Sequence, residues 1–156
     1  HVHLTKEDYD ILFNEEYKIL KNLSQPSDFV TDKVVTLKTD KYEIKNVKVL
    51  GPFRDYTQVE ISKSDAIKFT IVSDKNTITK KCAIISQRHI HISKENADKL
   101  NLKNRQIVNV KLGSEKKGVI ECFVKIKNNA VTELHIDTDD ASAFIINQGD
   151  EGDLLI

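Results

Sequence analysis

The chain has 156 residues, 39% of them hydrophobic and 31% charged, with 24 basic against 24 acidic side chains and a formal net charge of zero. That length fits one domain or two small, closely joined ones, and the apolar content suffices for a core. Balanced charge argues against a general nucleic-acid or membrane-surface binder, which needs a basic excess. No apolar run approaches the roughly 20 residues of a membrane span, and there is no secretory h-region.

In chain order, His1-Val2-His3-Leu4 alternates polar and apolar and predicts a half-buried strand. Thr5-Lys6-Glu7-Asp8 reads as an N-cap with an acidic residue at the capping-box position. Tyr9, Leu12 and Phe13 follow at helical spacing, which predicts a helix over 6–20. Ser24-Gln25-Pro26-Ser27 is a turn. Val34-Val35-Thr36-Leu37 and Tyr42-Glu43-Ile44 read as strands flanking Asp40-Lys41, and Val47-Lys48-Val49-Leu50 as another, ended by Gly51-Pro52. Residues 53–57 form a loop and Val59-Glu60-Ile61 a short strand, after which Ser62 or Ser64 caps a helical turn over 65–69. Residues 77–85 are β-rich and lead into Arg88-His89-Ile90-His91-Ile92-Ser93; a helix over 95–100 and strands over 107–112 and 119–126 follow. Asn128-Asn129 turns the chain into a strand over 134–136. Cys82 and Cys122, without Cys-x-x-Cys spacing, read as reduced, buried thiols of a cytosolic protein, with metal ligation the lesser alternative.

Four of the five histidines sit in two His-x-His strands, His1/His3 and His89/His91. Residues two apart on a strand share a face, so each pair sets two imidazoles side by side, and two such imidazoles can close on one metal ion. The plainer alternative is two surface strands that happen to carry histidines. Against it stands a repeat. Thr5-Lys6-Glu7-Asp8 matches Ser93-Lys94-Glu95-Asn96 after each pair, and Gln58-Val59-Glu60-Ile61 matches Glu133-Leu134-His135-Ile136 further on. Phe69 matches Phe144 in the same register. Glu60 therefore stands where His135 stands, and each half offers three ligands: His1, His3 and Glu60, then His89, His91 and His135. Two His with a carboxylate, and three His, are both catalytic zinc sets that leave a coordination position open. The expected fold is a β-dominated α+β chain of two small β-barrel-like halves, 1–80 and 81–156. Each half carries a short helix, the two are pseudo-twofold related, and the ligands meet where they join.

The motifs Arg88-His89-Ile90-His91, Leu50-Gly51-Pro52-Phe53-Arg54, Gln58-Val59-Glu60-Ile61-Ser62 and Leu134-His135-Ile136-Asp137-Thr138-Asp139 together resemble the PduL-type phosphotransacylases, the phosphate propanoyltransferases. The resemblance runs nearly end to end. It implies an enzyme with two zinc ions that interconverts acyl-CoA (acetyl- or propanoyl-CoA) plus inorganic phosphate with acyl phosphate plus coenzyme A. It assigns His1, His3 and Glu60 to one zinc, His89, His91 and His135 to the other, and phosphate binding to Arg54. It also implies a homodimer in the cytoplasm or in a bacterial microcompartment lumen, with shell or enzyme partners there and neither nucleic acid nor membrane. The chemistry suits these residues. Paired cations orient phosphate or polarise a thioester carbonyl, and a guanidinium fork fits two phosphate oxygens at once. A solvated surface arginine is the alternative for Arg54, and Arg88 is expected to face water. The chain departs from the family pattern in two places. The strand expected before His1 is not in the sequence, so residues upstream are expected. The family's longer Gly- and Pro-containing loop near 72–80 is here the short Ser73-Asp74-Lys75-Asn76. A two-metal phosphoester or thioester hydrolase, and a zinc-held binding module, are the competing functions.

Overall fold

The structure, a computed structural model, describes residues 1–41, 43–61, 69–80 and 82–156. It divides into two units, His1–Ile85 and Ser86–Ile156. Each is β-dominated, a curled half-barrel-like sheet with short helical elements.

The first unit runs β1 (Val2–His3), α1 (Lys6–Phe13), β2 (Ile19–Asn22), β3 (Phe29–Lys38), β4 (Glu43–Gly51), β5 (Gln58–Ile61), β6 (Phe69–Val72), β7 (Thr77–Lys80) and β8 (Ala83–Ile85). Its sheet has the order β7-β6-β3-β4-β1-β5-β8, with β2 paired to β3. The expected helix over 6–20 stops early. Thr5 caps its start by accepting from the Asp8 N–H, and Asn14 ends it in the left-handed conformation at φ 48°, a role asparagine tolerates. In the next turn, Glu15, Glu16, Tyr17 and Lys18, only Tyr17 stands in line with the buried Tyr9–Leu12–Phe13 face. Tyr17 instead turns back onto Tyr9 and Phe53, with ring centroids 5.7 and 5.8 Å apart, and β2 begins where helix was expected. Strand β4 covers most of two expected strands: Asn46, at φ 59°, carries the chain through a register shift against β3. The helical turn expected after Ser62 or Ser64 lies outside the described residues, as does Tyr42, and Phe69 opens a strand. Ser73-Asp74-Lys75-Asn76 is the hairpin between β6 and β7, closed by the Ser73 N–H donating to Asn76 O at 2.9 Å.

The second unit runs β9 (His89–Ile92), α2 (Lys94–Lys99), β10 (Ile107–Leu112), β11 (Gly118–Ile126), β12 (Glu133–His135), α3 (Thr138–Phe144) and β13 (Asp153–Leu155). Its sheet has the order β12-β9-β11-β10-β13. The sequence reading did not place α3 or β13. Helix α3 buries no residue fully and so shows no apolar stripe; its signal is the Asp137 cap followed by Asp139 and Asp140 in the first turn. It docks through Phe144 over Gly118, where a Cβ would lie 2.2 Å from the ring.

The repeat is visible in the register. Strand β1 lies between β4, parallel, and β5, antiparallel, with Val2 opposite Val49 and Val59. Strand β9 lies between β11, parallel, and β12, antiparallel, with Ile90 opposite Val124 and Leu134. Val2, Val49 and Val59 are in one core cluster, Ile90 and Val124 in the other, with Leu134 packed against it.

Candidate metal centres

Because Val2 and Ile90 face the two cores, the histidines on either side of each face the opposite way. On β5, Gln58 lies opposite His3 and the Glu60 N–H donates to His1 O at 3.1 Å, which sets Glu60 beside His1. On β12, Glu133 lies opposite His91 and His135 opposite His89. Glu60 and His135 thus occupy equivalent strand positions. The ligand atoms of His1, His3 and Glu60 lie within 4.8 Å of one another, and so do those of His89, His91 and His135. His3 and His91 are each 5% exposed, at the buried corner of their groups.

The donor atoms fit a zinc-like ion. Two ligands held about 2.0–2.1 Å from a tetrahedral ion stand roughly 3.3 Å apart. His1 Nε2 and Glu60 Oε2 are 3.3 Å apart, and His89 Nε2 and His91 Nε2 are 3.0 Å apart. His89 Nδ1 lies 2.7 Å from Gln87 O. A carbonyl only accepts, so Nδ1 carries the proton and Nε2 keeps its lone pair for a ligand. Burial pushes the His91 imidazole down to about 3, with the charges of His135 and His89 acting in the same direction and Lys125 and Lys127 adding to it. His91 is therefore neutral at physiological pH, the form that ligates metal. Its Nδ1 is buried and has no hydrogen-bond partner among the described residues.

Each His-x-His strand is pinned where it leaves the sheet. Asp8, 2% exposed, accepts from the Thr57 hydroxyl and from Lys80 Nζ, which is 2.6 Å from both carboxylate oxygens. Thr57 Oγ1 also accepts from the Thr5 N–H at 3.2 Å, so β1, α1, β5 and β7 meet at one polar knot. The second unit repeats it in weaker form: Asn96, in the position of Asp8, donates to the Thr132 hydroxyl at 3.5 Å, and Thr132 precedes Glu133 as Thr57 precedes Gln58. Neither threonine stood out in the sequence, because only the repeat register picks them out.

Arg54 is half-buried, and its N–H donates to Leu4 O at 2.9 Å, which ties its backbone to the end of β1. Its Nε is buried without a hydrogen-bond partner among the described residues. Gly51, three positions before it, has no room for a side chain, since a Cβ there would lie 2.2 Å from the Phe29 ring. Arg88, expected to face water, makes a fork to Asp140 on α3, with Nε 2.7 Å and Nη2 2.5 Å from the two carboxylate oxygens. Cys82 and Cys122 are buried free thiols, the latter raised to about 11 by burial, and neither belongs to either metal group among the described residues. Glu133 was not singled out as a site residue in the sequence; its Oε2 lies 3.1 Å from His135 Nε2. No helix among the described residues is long and apolar enough to cross a membrane.

The profile of the phosphate propanoyltransferase family matches residues 1–74 and 67–147. Among similar proteins, the phosphate propanoyltransferase of Thermotoga maritima is 34% identical, the match covering 96% of this chain and 82% of that one. That of Levilactobacillus brevis is 34% identical over 92% of this chain and 79% of its own, and that of Priestia megaterium 36% identical over 100% and 82%. The first of these alignments runs over 173 positions against the 156 residues of this chain, so the relative carries insertions. The duplicated strand frame, its paired ligand groups and these relatives agree: the chain belongs to the phosphate propanoyltransferase family and is an acyltransferase.

Proposed function

We propose that the chain interconverts acyl-CoA plus inorganic phosphate with acyl phosphate plus coenzyme A, with acetyl- or propanoyl-CoA as substrate and two zinc ions as cofactors. His1, His3 and Glu60 would hold one ion, and His89, His91 and His135 the other. The observation that carries this reading is the recurrence of a three-ligand set at equivalent strand positions in both units of a chain whose relatives are named phosphate propanoyltransferases. Bound there, zinc supplies positive charge that stabilises oxygens of phosphate or of the thioester carbonyl.

The remaining work falls to the chain's own groups. The Arg54 guanidinium, with a buried donor lacking a partner among the described residues, grips phosphate through two oxygens and orients it. A phosphate oxygen then bonds to the acyl carbon and the carbon–sulfur bond breaks. The sulfur leaves with that electron pair and takes the proton that phosphate carried. Gln87 O holds the Nδ1 proton of His89, which keeps that ring oriented throughout.

The test is thiol release from acetyl-CoA and propanoyl-CoA with and without phosphate. Phosphate-dependent release, with acyl phosphate as co-product, is the expected result. Release at the same rate without phosphate identifies a thioester hydrolase and overturns the proposal.

A further inference from the structure

The two metal groups share a frame but place their carboxylates at different corners of it. In each unit two strands bring four side chains into a square. In the first unit they are His1 beside Glu60 and His3 opposite Gln58. In the second they are His89 opposite His135 and His91 opposite Glu133. The carboxylate sits beside the first histidine of the pair in one unit and beside the second histidine in the other. Glu60 is a member of its ligand group, whereas Glu133 is not a member of the group formed by His89, His91 and His135. Glu133 instead lies against the imidazole of His135, with Oε2 3.1 Å from His135 Nε2 and its side chain 25% exposed.

A carboxylate only accepts, so a contact at that distance requires the proton on His135 Nε2. The lone pair is then on Nδ1. His89 is arranged the same way with its nitrogens exchanged: Gln87 O takes its Nδ1–H, and Nε2 carries the lone pair, 3.0 Å from His91 Nε2. Two of the three imidazoles thus have one N–H held by a protein acceptor, which puts the lone pair of the neutral ring on the other nitrogen. The partner beyond the ring fixes its tautomer and orientation and raises its basicity, and losing such a partner typically lowers metal affinity by 10–100-fold.

We propose that Glu133 is a positioning residue of the second metal group, which holds the His135 Nε2–H and turns Nδ1 toward the ion. This inference rests on the reading that His89, His91 and His135 bind metal. It gives Glu133 a task at the strand position that Gln58 holds in the first unit.

The experiment titrates the metal-free protein with zinc against a chromophoric chelator and resolves two binding steps in wild type, Glu133→Leu and Glu133→Gln. Circular dichroism serves as the check on folding. Glu133→Leu should weaken one step by roughly 10–100-fold and leave the other unchanged. Glu133→Gln keeps an oxygen acceptor and should weaken the same step less than tenfold. If Glu133→Leu does not fold, Glu133→Asp replaces it; it withdraws the oxygen by one methylene and should lose at least tenfold. Two unchanged steps in Glu133→Leu, or in its Asp replacement, overturn the role. Glu133→Gln as damaging as Glu133→Leu also overturns it, because the charge rather than the acceptor would then matter and Glu133 would ligate directly. A wild-type protein that binds no zinc at either step overturns the metal reading itself, and this inference with it.

Discussion

Arg54→Lys separates anion binding from folding. The backbone N–H of Arg54 donates to Leu4 O whatever the side chain, so the tether to β1 survives the change. What is lost is the planar fork, including an Nε that is buried without a partner among the described residues. Losing a hydrogen bond to a charged group costs about 1.5–3 kcal/mol, and 1.4 kcal/mol is a factor of ten. Transacylation by Arg54→Lys should therefore fall about ten- to a hundredfold at subsaturating phosphate, with the apparent phosphate requirement raised. Bound zinc should be unchanged. The melting temperature should be unchanged or slightly higher, because a buried donor without a partner costs stability that lysine, reaching water with its ammonium, would not. The assay is initial thiol release against phosphate concentration, with metal content and thermal melting measured on the same preparations. An unaltered phosphate dependence would return Arg54 to the role of a solvated surface residue. A lowered melting temperature with lost activity would make it a structural residue instead.

Two further predictions follow from the ligand groups. Glu60→Gln and His135→Gln should each leave about one zinc per chain by elemental analysis, with His135→Gln costing at least as much turnover; a Glu60→Gln protein that retains two ions but loses activity with a changed pH profile would make Glu60 a general base. In metal-free protein the folded His91, pushed down to about 3, refuses a proton that the unfolded chain accepts below the ordinary imidazole value of 6.5. Its contribution to stability is therefore complete above about 6.5 and is lost as pH falls toward 3, by up to about 1.4 kcal/mol per pH unit. Urea midpoints at pH 7 and 5 in the presence of a chelator test it, and a His91→Gln variant should show the smaller drop.

The parts of the structure that were legible in the sequence are those with a local period. The alternation around Val2, Val59, Ile90 and Leu134 predicted β1, β5, β9 and β12 because one face of each is turned to a core and the other carries the candidate ligands. The repeat paired Glu60 with His135, and the strand registers place them at equivalent positions. Features set by distant contacts were not legible. Helix α1 ends at Phe13 because Asn14 turns left-handed and Tyr17 finds an aromatic pocket, neither of which a periodicity shows. Helix α3 is held by Phe144 over Gly118 and by the Arg88–Asp140 fork, so its own sequence lacks a buried stripe. Glu133 escaped notice as a site residue because its carboxylate gains meaning only from the ring of His135 beside it.

The repeat gives a short chain two candidate metal groups on one frame, without two unrelated solutions to the same problem. A His-x-His strand between a parallel and an antiparallel neighbour, tied by a helix cap and a threonine, is a frame whose apolar side is interchangeable between halves. Val2 and Ile90 do the same job with one methylene of difference. The polar side is not interchangeable. As a ligand, Glu60 would lower the net charge of an ion in the first group and hold it more firmly. In the second group the equivalent position is the imidazole of His135 rather than a carboxylate, so an ion there would keep its double charge within the ligand set. Glu133 would meet it only through an imidazole, which would temper that charge far less than direct ligation does. On the proposed reading, an ion in the second group would be the stronger Lewis acid and the better suited to an oxygen that gains negative charge as the thioester is attacked. The two groups differ at two corners of one square, and on the proposed reading that difference would turn a repeated frame into a pair of chemically distinct sites.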